Sequence, residues 1–166
     1  QSLEKLHADK ARKLQVFKAM VESRLLYGLA AACFSKAELR RIDGFQAKCL
    51  RSILRIAPSF ESRVSNASVL EMAGWTAAST LLLQQQLLLL GKVLRAPSHS
   101  PLMTVSFVQG TTRPATSQYI RNIGRPRCEW MSVVLPRALR MCGDAQELTS
   151  IAADARHWRA LAAAVK

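Results

Sequence analysis

The chain has 166 residues, 49% of them apolar, which suits one domain or two small lobes with a buried core and excludes a disordered tail. Its 24 basic against 11 acidic residues, a formal +13, make a polyanion the first expected partner, because such an excess otherwise only adds self-repulsion. Nucleic acid leads, and an acidic membrane surface follows.

The excess is spread along the chain. Residues 1–63 hold 13 basic and 6 acidic side chains, a net +7, which leaves +6 for the remainder and argues against a detachable basic tail. Arginines outnumber lysines by 16 to 8, which suits forked contacts with phosphate oxygens; a GC-rich genome would enrich Arg and Ala together, and composition does not separate the two. Cys33, Cys49, Cys128 and Cys142 form no close pair, and His7, His99 and His157 are far apart, so no zinc finger or knuckle is written here. Cys33 and Cys49 fall on or beside apolar helix faces and are expected as buried thiols in a reducing compartment. The first residues, QSLEKLHADKARK, hold no apolar leader and no initiator Met, so a fragment or processed product is expected, located inside the cell: nuclear, ribonucleoprotein-associated or organellar.

From Ser2 to Cys33 the pattern is helical, with Leu6, Leu14, Phe17, Val21, Leu25 and Leu29 recurring at steps of three and four. Gly28 costs about 1 kcal/mol relative to Ala inside such a run, so it and Tyr27 are expected to serve close helix packing or a kink. Ser35 with Glu38 is a capping box, which starts a second helix at Lys36; Pro58 ends it after Ala57. On this helix Leu39, Ile42, Phe45, Cys49, Ile53 and Ile56 are expected to pack, and Arg41, Lys48, Arg51 and Arg55 to form a separate, solvent-open basic ridge. Asn66 caps a short helix that stops at Gly74. Thr76 opens the longest apolar tract, whose leucines at 81–83 and 87–90 surround a helix on every side, so that helix is central or covered by a protein partner. Gln84, Gln85 and Gln86 interrupt it, and no run reaches the ~20 apolar residues of a membrane span.

Pro97, Pro101 and Pro114 punctuate a long stretch without helical period, read as a linker or extended arm over 97–124 in which LMTVSFVQ is a possible strand. Beyond it, Pro126 suits a first helical turn, which would set Arg125 and Arg127 at a helix N-terminus, a position that favours a phosphate. Pairing of these arginines with Glu129 or the first lobe is the equally weighted alternative. Pro136 should kink or end that helix, and Gly143, Asp144 and Glu147 restart a terminal helix with Trp158 in its core stripe. The expected fold is all-α, a bundle of about five to six helices, with an N-terminal lobe over 1–96, the arm over 97–124 and a C-terminal helix pair over 125–166.

Three phrases in order resemble a known family. SRLLYG (Ser23 to Gly28), then Gln46, Leu50-Arg51 and Ile53-Leu54, resemble the segment after the polymerase palm in LINE-type, non-long-terminal-repeat retrotransposon reverse transcriptases. Gly91-Lys92-Val93-Leu94-Arg95 is similar to that family's GHVLR phrase with Lys92 in place of His, and Gly124-Arg125-Pro126-Arg127 with Trp130 to its GRPR-x-x-W phrase. The resemblance covers roughly residues 13–130 and implies a helical thumb that holds primer and template, with Tyr27, Gly28, Gln46, Arg51 and Leu54 at thumb positions, followed by a helical linker.

A polymerase needs paired carboxylates for two metals, and Asp9, Asp43, Asp144 and Asp154 are scattered, so no polymerase centre is written in this chain. Phosphate-loop, GxSxG, HExxH and CxxC patterns are absent too, which leaves a Cys128–His157 dyad as the one arrangement to weigh. The expected function is therefore non-catalytic and cofactor-free: a thumb- or linker-like portion that grips RNA or an RNA–DNA duplex through Arg41, Lys48, Arg51, Arg55, Arg125 and Arg127. With 6% aromatic residues, mostly on apolar faces, there is little material for base stacking. The rival is a structural helical subunit that docks into a ribonucleoprotein or other assembly by the Leu81–Leu90 helix and the proline-rich arm. Attachment to an acidic membrane surface by the basic helices is a weaker third.

Overall fold

Ser35 and Glu38 fix the start of the central helix as the local rule dictates. The Ser35 side chain accepts from the Glu38 backbone N–H, and the Glu38 carboxylate accepts from the Ser35 N–H at 2.7 Å. The computed structural model describes residues 3–108, 111–115 and 129–165, with side chains from residue 9 onward. In chain order, α1 (Leu3–Val16) runs through a π-helical turn (Phe17–Glu22) into α2 (Ser23–Leu26), and a 3₁₀ turn (Leu29–Ala31) follows. Then come α3 (Lys36–Leu54), α4 (Ser59–Ser62), α5 (Asn66–Ala73), α6 (Ala78–Leu94), α7 (Pro101–Ser106), α8 (Trp130–Cys142), α9 (Ala145–Ala153) and α10 (Ala155–Ala163). The fold is all-α, as the periodicity requires; among the described residues the β structure is an isolated bridge between Phe107 and Pro114.

Two compact units divide the chain: residues 1–29 with 35–82, and residues 30–34 with 83–166. The division falls inside α6, between Leu82 and Leu83, rather than in the 97–124 arm. The reason is that the arm is not irregular throughout. Ser100 caps α7 through the Leu102 N–H, so the LMTVSFVQ segment is mainly helical, and Phe107 at its end is buried in the core of the second unit.

In the first unit Phe17, Leu50 and Val69 form the buried centre, with Leu14, Val21, Ile53, Leu54 and Trp75 packed around it. The π-turn explains a polar group there. A widened turn brings residues five apart toward one side of the helix, so Glu22 is buried beside Phe17. Glu22 Oε1 accepts from Gln46 Nε2 at 2.9 Å and from Trp75 Nε1 at 2.7 Å. Gln46 also donates to the Thr76 carbonyl and accepts from the Ala78 N–H, while Asp43 accepts from the Ser79 N–H. Two α3 side chains thus satisfy the first donors of α6, which starts at Ala78 and not at Thr76. The cap of α5 likewise shifts by one residue: Ser65 accepts from the Ser68 N–H, and Asn66 is left free for another contact.

The second unit is built on the rest of α6. Leu87, Leu90, Val93, Met131, Val134, Leu148 and Trp158 are buried together. Gly91 admits Trp158: a methyl there would overlap the indole, whose Nε1 donates to the Leu87 carbonyl at 2.8 Å. Residues 30–34 are tied into the same unit, because Trp130 Nε1 donates to the Ala30 carbonyl and Gln86 Nε2 to the Ala32 carbonyl. Of the leucines in Leu81–Leu90, Leu82, Leu87 and Leu90 are buried by the chain itself and Leu81, Leu83, Leu88 and Leu89 are half-buried. Among the described residues no single helix is long and apolar enough to cross a membrane.

Several expectations are corrected. Tyr27 is 87% exposed and not a core residue, and Gly28 follows the end of the first helix with φ +73°, a value glycine adopts without strain. Cys33 is held in a disulfide, while Cys49 and Cys142 are free. Pro136 does not end α8, which runs on to Cys142. It is exposed on the outer side, and the inner face of Met131, Val134, Leu135, Ala138 and Cys142 carries the helix past it. The terminal helix is two helices, because Asp154 accepts from the Arg156 and His157 N–H groups and starts α10 anew.

Candidate nucleic-acid interface

The predicted ridge lies on α3, and the structure divides its members. Arg41, Phe45, Lys48, Ser52 and Arg55 follow one another at steps of four and three, and all are exposed. The packed face is turned away from them: Gln46, Ala47, Leu50 and Arg51 are the buried residues of the helix. Phe45 was expected in the core and is instead 45% exposed, since the small and polar pair Gln46-Ala47 occupies the inward position next to it.

Arg51 is the correction that matters most. It is 7% exposed, and its guanidinium donates to the carbonyls of Ala57 and Val64, to Ser62 Oγ and to Asn66 Oδ1. The chain after α3 folds back over it and supplies these acceptors, so the planar fork organises a turn and does not stand on the ridge.

Arg55 lies at the end of α3 in the left-handed region, φ +58°, with the Ile56 N–H bonded to the Arg51 carbonyl as in a Schellman stop. A residue with a side chain at this place costs roughly 1 kcal/mol relative to glycine. The ridge continues onto α1. The Asp9 carboxyl is held below its ordinary range, first by a hydrogen bond from Lys13 at 2.5 Å and further by the charges of Lys13, Arg55 and Arg12. One carboxylate therefore sits among several cations. Among the described residues Arg41, Lys48 and Arg55 are in no ion pair.

Two grooves flank the ridge. One, about 430 Å³, is lined by Gly44, Lys48, Ser52, Ile56, Ser59 and Asn66. The other, about 580 Å³, has an apolar floor that includes Phe17 and Ile53, and a rim of Arg12 and Lys13. Ser52 lines both. Ser59 lines the first groove, and Phe60, the next residue in the chain, is 85% exposed. Exposed Phe45 and Phe60 were missed by sequence reasoning, which assigned aromatics to apolar faces; the signal available was the position of Phe45 at i+4 from Arg41 and i−3 from Lys48.

Arg125 and Arg127, with Gly124, Pro126 and Cys128, lie outside the described residues, and so does any pairing of Cys128 with His157. Burial pushes the Cys142 thiol up, and Glu147 adds to the shift, which makes it a poor nucleophile. Among the described residues no group of three or more His, Cys, Asp or Glu side chains is placed to hold a metal ion. No family model, curated protein or solved structure matches this chain.

Proposed function

We propose that this chain is a non-catalytic, nucleic-acid-gripping portion of a reverse-transcriptase-like protein, comparable to a thumb with its downstream linker, which holds an RNA or RNA–DNA backbone by charge and shape. The observation that carries the reading is the exposed row Arg41, Lys48 and Arg55, continued by Arg12. Among the described residues none of the first three cations is in an ion pair, and the Asp9 carboxylate alone is close enough to feel the charge of Arg55. Phosphates spaced along a backbone are the natural complement to such a row. The docking reading has the less direct support, because Leu82, Leu87 and Leu90 of α6 are buried within the chain.

The test is the salt dependence of duplex binding. Replacing Arg41, Lys48 and Arg55 together by Gln should flatten the log–log slope by about 2 to 3 units. Arg51 is left in place, since it is committed to the turn. An unchanged slope in the triple variant would remove the proposal.

A further inference from the structure

The basic row holds an exposed aromatic ring, Phe45, and a second exposed ring, Phe60, follows on α4; this bears on what kind of strand the row takes. Phe45 stands on the same face of α3 as Arg41 and Lys48, one turn from each. Phe60 is 85% exposed on α4 and is the next residue in the chain after Ser59, which lines the same groove as Lys48 and Ser52. Neither ring belongs to the hydrophobic core of the first unit, and exposing both costs the apolar burial that a purely structural role would supply. A closed duplex hides its base faces, so it has no use for such rings. An unpaired strand presents both a phosphate chain and open base faces, and stacking on a ring is tolerant of sequence because every base has one.

We infer that the α3 face and its adjoining groove bind single-stranded nucleic acid, or the single-stranded end of a duplex, with bases stacked on Phe45 and Phe60 and phosphates on Arg41, Lys48 and Arg55. This rests on the proposed backbone grip and narrows its ligand from a duplex to an unpaired strand. The groove of about 430 Å³ between Gly44 and Ser59 is roomy enough for a base, and Asn66 on its wall accepts from Arg51 through its oxygen while its amide donors have no partner among the described residues.

The experiment uses the full chain and two probes of one sequence, a single-stranded RNA of about twelve nucleotides and the blunt RNA duplex. Phe45→Ala and Phe60→Ala should each weaken single-strand binding about tenfold, and the pair on the order of a hundredfold, with the salt slope unchanged because no phosphate contact is lost. Duplex affinity should stay within about twofold. Phe45→Trp in the Phe60 background should restore or exceed wild-type binding, and 2-aminopurine in the strand should report stacking that the double variant abolishes. Both rings are exposed, so the helical circular dichroism should not change. A double variant that binds the single strand as tightly as wild type overturns the inference. So does an equal loss for both probes. If the aromatic variants are silent while the Arg41, Lys48 and Arg55 triple still flattens the slope, the backbone grip stands and the stacking alone fails. If wild-type chain binds neither probe, both fall.

Discussion

Two arginines four residues apart, Arg51 in α3 and Arg55 at its cap, have opposite exposures, and the difference is set by what the following segment does. Arg51 spends its fork on four acceptors between Ala57 and Asn66, so Arg51→Met, which keeps the length and removes the donors, should cost about 2–4 kcal/mol in a urea titration. Lys48→Met on the exposed face should stay within about 0.5 kcal/mol while it weakens binding of a polyanion. Equal stability losses for the two would mean that the Arg51 contacts carry no weight. At Arg55 the expected trade runs the other way. Glycine relieves the left-handed backbone, so Arg55→Gly should gain about 0.5–1 kcal/mol in stability and yet lose one phosphate contact. On the proposed grip the Arg55 charge is what offsets this backbone cost; a variant that is both stabler and equally tight in binding would refute that.

At the scale of the element, what was legible was what a few neighbouring residues decide by themselves. The capping box at Ser35, the left-handed stop at Gly74 and the restart at Asp144 all stand where the local rules put them. The π-turn was not legible, because Phe17 to Glu22 reads as an ordinary helical stripe until Trp75 and Gln46 arrive to bond Glu22. The burial of Arg51 depends in the same way on the fold of another segment, the turn from Ala57 to Asn66 that follows α3, and a helical wheel holds no information about that. Asp154 is the case where a local signal was present and overlooked: it divides α9 from α10 by capping the latter. Its carboxyl is held below the ordinary range, first by the Arg156 N–H and then by the His157 N–H. A carboxyl lowered in the folded state contributes stability that is complete above its unfolded value, near 3.8, and is lost as pH falls through the folded one. Asp154→Asn keeps a capping oxygen without the charge, so it should remove this part of the acid loss while leaving the helix content at neutral pH unchanged. Acid titration by circular dichroism checks it, and identical acid limbs in the two proteins would deny the carboxylate its role.

At the scale of the whole molecule, the residues behind the family resemblance turn out to serve the framework more than the surface. Gln46 caps α6, Arg51 pins a turn, Gly91 admits Trp158, and Arg95 donates to the last carbonyls of α9 through Ala152 at 2.7 Å. They fall into two sets, one in each compact unit, and this permits a test of whether the units are separate blocks of stability. Gly91→Ala should be destabilising on balance: a better helix former gains about 1 kcal/mol, but the clash with a buried indole costs about 1–3 kcal/mol. Hydrogen exchange should then quicken across residues 83–108 and 129–165, with little change in α1 and α3. Arg51→Met should do the reverse. Helix α6 is the place to look, since its early amides answer to α3 through Asp43 and Gln46 and its later ones to the Trp158 cluster. Backbone bonds reach back four residues, so the changeover should be spread over about one turn beyond Leu82 and not fall at one peptide. Both variants accelerating exchange equally along the entire chain would show a single cooperative block, and the division inside α6 would then be geometric only.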